Sequence, residues 1–240
     1  MADYININGN NIPIRASDPT NPIVGEIWYN STTNLLKGQA LSTSGTWSTS
    51  GTMNTGRGQA SGLGTLTAGL AAGTQSPTPN QVLTEEYDGS TWSVGGNLND
   101  GRADLNTFGV QTAGIAAAGD DFPNSPRGTT AAEEYNGSTW TSNPTGLNTV
   151  RRGVAAAGIQ TAALSSGGEI PGTGFTGATE EYNGSTWTTV SSLATARGLL
   201  AGAGTTSAAL AFGGNTGSRS GATEEWLEAG ALTTKTITVS

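Results

Sequence analysis

The sequence predicts an all-β protein, a β-propeller of about four four-stranded blades preceded by a short N-terminal β-hairpin arm. Three observations predict it. One acidic-aromatic phrase recurs along the chain, as EEYDGSTW at 85–92 and EEYNGSTW at 133–140 and 180–187, with a clipped copy, EEW, at 224–226. Each full copy contains Asp-Gly or Asn-Gly (Asp88-Gly89, Asn136-Gly137, Asn183-Gly184), pairs that tolerate the positive φ of tight hairpin turns. Helical spacing is absent over any useful length, because Gly and Pro interrupt too often; glycine alone supplies 37 of the 240 residues.

The period is carried by several markers. Trp47, Trp92, Trp140 and Trp187 are separated by 45, 48 and 47 residues. The Glu doublets Glu85/Glu86, Glu133/Glu134, Glu180/Glu181 and Glu224/Glu225 are separated by 48, 47 and 44. Arg57, Arg102, Arg151 or Arg152, and Arg197 each follow a Trp by 10 to 12 residues. Four short strands fit each unit. Strand a follows the Arg, strand b is a small-residue segment such as TAGIAAAG, strand c carries Glu-Glu-Tyr, and strand d begins at the Trp. Four strands at a period of about 40–50 residues are the signature of propeller blades. A small sheet rich in Gly, Ala and Thr cannot bury both faces alone, whereas stacked sheets bury them through Trp, Tyr and Leu. Trp47, Trp92, Trp140, Trp187, Tyr87, Tyr135, Tyr182, Arg57, Arg102 and Arg197 are accordingly read as structural repeat residues.

The expected organisation is an arm over residues 1–40 and a propeller over 41–240, with repeats at about 53–99, 100–147, 148–194 and 195–240. In the arm, GEIWYN, a Ser-Thr-Thr turn and NLLKG form a hairpin. Residues 41–52 read as a strand d without its a, b and c, and the last repeat ends in GALTTKTITVS. Either segment completes the last blade; an open arc, or a ring finished by another subunit, is the alternative.

Composition excludes several chemistries. With no Cys and no His, the chain has no disulfides, thiol nucleophiles, imidazole bases or usual zinc ligands. A net charge of −8 and only two lysines, Lys37 and Lys235, argue against nucleic acid as a partner. No apolar run approaches the ~20 residues of a membrane helix, so no membrane insertion is expected. The N-terminus lacks the features of a secretory signal, and the absence of Cys fits synthesis in a reducing cytosol.

The Glu doublets suggest either a ring of carboxylates for Ca²⁺ binding or acid/base work, or repeated Glu–Arg pairs within or between blades. A feature present in every repeat is better explained by blade construction, so no metal, no cofactor and no catalytic residue is expected. Asn30-Ser31-Thr32, Asn136-Gly137-Ser138 and Asn183-Gly184-Ser185 match the glycosylation pattern, and are read as turn chemistry. Recognition is expected where the repeats differ, in the b–c loops at 75–81, 120–131, 169–177 and 215–221. Asp120, Asp121, Phe122, Arg127, Glu169, Phe175 and Arg219 are the ligand- or partner-binding candidates there.

The order of Gly167-Gly168, Tyr182, Trp187 and Arg197, and of Gly213-Gly214 with Trp226 in the Tyr position, resembles the kelch repeat over roughly residues 41–230. The first two repeats depart from it, with AGT at 72–74 and AGD at 118–120. This resemblance implies a kelch-like β-propeller and says little about function. Residues 18–38, DPTNPIVGEIWYNSTTNLLKG, resemble a segment of tail-fibre and other virion proteins of tailed bacteriophages, and the repeat as a whole is similar to propeller-like proteins of marine phages. The resemblance implies a non-enzymatic virion structural protein, made in the host cytoplasm, of tail-fibre or appendage type. Its partners would be other virion proteins through residues 1–40 and host surface polysaccharide, within a homo-oligomer or larger assembly. A capsid-decoration protein and a cellular kelch-like interaction module are the alternatives.

Overall fold

A computed structural model describes residues 4–7, 10–21, 23–39, 47–75, 80–121 and 127–228. The chain divides into two compact units, 1–49 and 50–240, later than the border expected at residue 40. All regular structure among the described residues is β, apart from one 3₁₀ turn at Asn80–Val82.

The N-terminal unit is one sheet of strands β1 (Tyr4–Ile7), β2 (Asn10–Arg15), β3 (Ile27–Asn30) and β4 (Leu35–Gly38), in that order. The expected hairpin is the antiparallel pair β3–β4, with Tyr29 opposite Leu36, while β2 and β3 run parallel. Asn30 makes the turn: its side-chain oxygen accepts from the amides of Thr32 and Thr33, both at 3.0 Å. Asp18 ties the unit together. It accepts hydrogen bonds from the Trp28 indole at 3.0 Å, the Asn30 amide at 2.8 Å and the Lys37 ammonium at 2.6 Å. Those donors, Lys37 first, lower its pKa to about 2.

The second unit repeats one antiparallel sheet. Sheet I is β5 (Ser61–Thr65), β6 (Ala68–Ala72), β7 (Thr84–Tyr87) and β8 (Trp92–Val94). Sheet II is β9 (Asn106–Val110), β10 (Ala113–Ala117), β11 (Ala132–Tyr135) and β12 (Trp140–Asn143). Sheet III is β13 (Ala155–Ile159), β14 (Ala162–Ser166), β17 (Thr179–Tyr182) and β18 (Trp187–Val190), with a ribbon of β15 (Glu169–Ile170) and β16 (Gly174–Phe175) between β14 and β17. Sheet IV has three described strands, β19 (Ala201–Gly204), β20 (Ala208–Phe212) and β21 (Thr223–Leu227). Of the two segments expected to complete it, residues 47–52 form no strand, and residues 41–46 and 229–240 lie outside the described residues. The first strands lie against one another in the order β5, β9, β13, β19, and no comparable contact joins β19 to β5 among the described residues.

Local chemistry shapes each sheet. Gly64, Gly109, Gly158 and Gly204 close strand a with φ between +101° and +115°; a Cβ there would lie 2.1–2.3 Å from the carbonyl oxygen of Ala68, Ala113, Ala162 or Ala208. Asp88, Asn136 and Asn183 each accept two amide N–H bonds within their own turn, placing the two Asn-Gly-Ser sequences in turns as expected. Across each turn the Tyr and Trp rings meet, at centroid distances of 5.0, 4.9 and 5.0 Å for Tyr87–Trp92, Tyr135–Trp140 and Tyr182–Trp187. Trp47 differs from the other three repeat Trp residues in being fully exposed, and Ser42 stands in the sequence where each of the others has its Tyr.

The recurring Arg and the first Glu of each doublet form an ion pair within one repeat, buried in the first three and with Glu224 partly exposed in the fourth: Arg57–Glu85 at 3.0 Å, and Arg102–Glu133, Arg151–Glu180 and Arg197–Glu224 each at 2.9 Å. Each guanidinium also donates to backbone carbonyls, as Arg102 does to Ala131 at 2.9 Å. The other carboxylate oxygen takes the main-chain and side-chain N–H of an Asn three residues before the Arg. Those distances are 2.7 and 3.0 Å for Asn54, 2.7 and 2.8 Å for Asn99, and 2.6 and 2.9 Å for Asn148. Burial alone would raise the Glu85 carboxyl; the bonds from Arg57, Asn54 and Thr55 outweigh it, and its pKa is lowered. Burial works in the opposite sense on Arg102 and Arg151, whose pKa values are lowered against the pull of Glu133 and Glu180.

The second Glu of the doublet points to the opposite face, as strand alternation requires, and meets the next sheet. Glu86 accepts from the Tyr135 hydroxyl and Glu134 from that of Tyr182, each at 2.5 Å. Burial, then the Glu86 carboxylate, push the Tyr135 phenol up to about 12, and the same causes raise Tyr182. Around these contacts lie two apolar cores, one from Leu70, Leu105 and Trp140, the other from Phe108, Ile115, Val154 and Trp187.

Two outcomes follow from this packing. Glu133→Ala should destabilise the repeat unit by about 3–5 kcal/mol in chemical denaturation, since it strands a buried guanidinium, while Arg102→Met/Glu133→Leu together should recover most of that loss. In the N-terminal unit, the folded pKa of Asp18 lies below the unfolded one, so its stabilisation is complete at neutral pH and is lost as pH falls from the ordinary aspartate range towards about 2. An NMR titration of the Asp18 carboxyl carbon should give a midpoint near that value, and Lys37→Met should move it upward.

Candidate functional site

The b–c loops and the d–a connections come to the same end of every sheet, because each sheet is an antiparallel meander. The scaffold beneath them is regular. At the start of each strand a stands one residue with φ between +48° and +57° (Gln59, Asp104, Gly153, Leu199), and the last three each donate the N–H to the carbonyl of the counterpart one repeat earlier. These bonds measure 3.3 Å for Asp104 to Gln59, 3.1 Å for Gly153 to Asp104 and 2.7 Å for Leu199 to Gly153. The diglycine that ends strand b also adopts left-handed backbone. Gly167 and Gly168 have φ of +69° and +108°, while in sheet II Ala118 and Gly119 take the same turn at +58° and +117°.

On this frame sits a charged cluster. Asp120 is buried and pairs with both Arg127 and Arg152, the latter at 2.6 Å. Arg152 continues to Glu169 at 3.0 Å, giving the series Arg127–Asp120–Arg152–Glu169. The backbone fixes both carboxylates, since Asp120 bridges Ala103 and Glu169 bridges Arg152. Asp121 accepts from the Gly128 amide at 2.9 Å, which folds its loop back. Asp104 lies beside the cluster, its pKa raised first by burial and then by the Asp120 charge. The pKa of Arg152 is raised as well, which favours its charged form; burial is outweighed by Asp120 and Glu169.

Of the residues chosen from sequence, Asp120, Arg127 and Glu169 are thus joined through Arg152. Phe175 faces Glu169 across the β15–β16 ribbon, and its ring packs over Gly198, where a Cβ would come within 2.9 Å of it. Arg219 is exposed and stands apart in the sheet IV loop, its backbone bridged to Asn215. Phe122 lies outside the described residues. Two members of the cluster, Arg152 and Asp104, were missed. The signal for Arg152 was its position: Gly58, Ala103 and Gly198 hold the matching place after the other recurring Arg residues.

Both carboxylates that hold the cluster are engaged by guanidinium groups, and no group of three or more Asp or Glu is placed to hold a metal ion among the described residues. No protein-family model matches the chain, and no curated protein resembles it significantly.

Asp104 provides a test of the cluster's electrostatics. Because its folded pKa is raised, its ionisation costs stability as pH rises from the ordinary aspartate range through the raised value. Asp104→Asn keeps a residue that tolerates left-handed backbone. It should raise the melting temperature at pH 8 and leave it nearly unchanged near pH 3.

Proposed function

We propose that this chain is a non-enzymatic structural protein of a tailed-phage virion, an appendage module that attaches to the host surface. In this reading the four sheets are blades of a kelch-like β-propeller. The N-terminal unit docks the protein to other virion proteins, and the b–c loop end faces outward to bind host polysaccharide. The observation that carries the reading is the separation of tasks within the repeat unit. Everything periodic, the Arg–Glu pairs and Tyr–Trp rings, is spent on construction. The Asp120–Arg152–Glu169 cluster, Phe175 and Arg219, all in segments that differ between repeats, lie at the b–c loop end of their sheets. Guanidinium groups, carboxylates and an aromatic ring are the side chains that hold sugars, through hydrogen bonds to hydroxyls and stacking on the ring face. The resemblance of residues 18–38 to phage tail proteins supplies the docking role.

Deletion of residues 1–49 should abolish incorporation into particles while the remaining repeat unit keeps its β-sheet circular dichroism. Truncated protein recovered on purified virions would remove the docking role. Phe175→Ala and Arg219→Ala should each weaken binding to purified host polysaccharide by about tenfold, on the order of 1.4 kcal/mol; unchanged affinity in both would remove the loop end as the recognition surface.

A further inference from the structure

Sheets I and IV each carry half of an interface that the inner pairs of sheets complete. Leu70, Ile115 and Leu164 hold one position in strand b, point to the following sheet and are at most 3% exposed; Leu210 holds that position in sheet IV and is 40% exposed. Phe212 takes the place of Ala72 and Ala117 and is likewise 40% exposed, against 0% for both. A shallow cleft at the edge of sheet IV is lined by Ala203, Leu210, Glu225 and Leu227 together with Ala209 and Trp226, which pack against sheet III. Glu225 stands where Glu86 and Glu134 accept the Tyr hydroxyl of the next sheet, and its carboxylate has no hydrogen bond among the described residues.

Sheet I shows the complementary half. Its Tyr87 hydroxyl bonds Ser50 rather than the Glu that Tyr135 and Tyr182 receive from the preceding sheet. Ser50 is not an arbitrary partner, since Asn143, at the same place after its Trp, bonds Tyr182. Gly51 repeats the position of Gly96: an added Cβ would lie 2.2 Å from the Ser90 carbonyl oxygen in one case and 2.2 Å from that of Ser138 in the other. Residues 50–51 are therefore seated as the tail of a strand d belonging to a sheet ahead of sheet I. Trp47, fully exposed, is in register to be the Trp of that strand. Leu66, 83% exposed, occupies the position from which Gln111 and Gln160 reach back to carbonyls of the sheet before them.

We propose that two copies of this chain join head to tail, sheet IV of each packing on sheet I of the other, with the Trp47 segment of one copy as the fourth strand of the other's sheet IV. The inference rests on the sheets being blades, and not on the attachment role. A second copy is the occupant because it carries the complementary half that each end lacks, and because among the described residues the contacts between first strands run from sheet I to sheet IV with no comparable return. Two such heterologous contacts close a ring, and the resulting eight sheets fall within the range of about four to eight blades that propellers adopt.

Light scattering coupled to size exclusion should give the full chain a mass twice its 24.1 kDa. Leu210→Asp/Phe212→Asp should halve that mass while the β-sheet circular dichroism is retained. Because the chain has no Cys, Leu66→Cys/Leu227→Cys treated with a bismaleimide reports the contact directly and should yield covalent dimers. A monomer, any other mass, or a cross-link formed within one chain overturns the proposal. The control pair Thr145→Cys/Ser185→Cys spans sheets II and III, where Thr145 bonds the Ser185 carbonyl. Its failure would instead indict the stacking of the sheets as blades.

Discussion

The buried pair of arginine and glutamate in each sheet is the constraint on which the repeat unit depends. An unpaired charge in that position would cost several kcal/mol, so the pair is tolerable only with most of its remaining hydrogen-bonding sites filled. Carbonyls at the end of strand b and the start of strand c, the Asn amides and the main chain at 54–55, 99–100 and 148–149 fill them, while the Nε of Arg57, Arg102, Arg151 and Arg197 is buried without a partner among the described residues. A single side chain thereby fixes where the chain enters the sheet, where strand b ends and how strand c is registered. That explains how strands made mostly of Ala, Gly, Ser and Thr hold one geometry. Their apolar area is small, and a polar clamp supplies the specificity that side-chain volume does not.

The same clamp explains why the architecture was legible in the sequence. Periodic Trp, Tyr, Glu and Arg residues mark it, and the strands fall where those markers place them. The Asn three residues before the Arg escaped notice because it is masked by polar neighbours and because the fourth repeat has Ala194 in its place, leaving only main-chain bonds to Glu224. Trp47 keeps the spacing of the repeat but not its sequence context, since the Tyr five positions before each of the other three is missing, and it is exposed.

The charged cluster was only partly legible. Asp120 and Glu169 stood out as lone carboxylates in variable loops, but their common partner Arg152 sits in a d–a connection distant in sequence. Nothing in the spacing of residues 120, 152 and 169 brings them together. Strand pairing does so, through the bridges of Ala103 with Asp120 and Arg152 with Glu169. Sites assembled from different repeats are hidden in a linear reading because each repeat contributes only one fragment.

The contact between the second Glu of one sheet and the Tyr of the next has direction: sheets I and II offer a carboxylate on one side, sheets II and III receive it with a phenol on the other, and sheet IV has Trp226 in place of the phenol. A row of units with such polarity can lengthen or shorten by whole periods, because the trailing side of one Tyr-bearing unit accepts the leading side of another. An in-frame gain or loss of one whole Tyr-bearing repeat would therefore leave a matched carboxylate–phenol seam, so the array can change size by duplication while those seam residues stay the same.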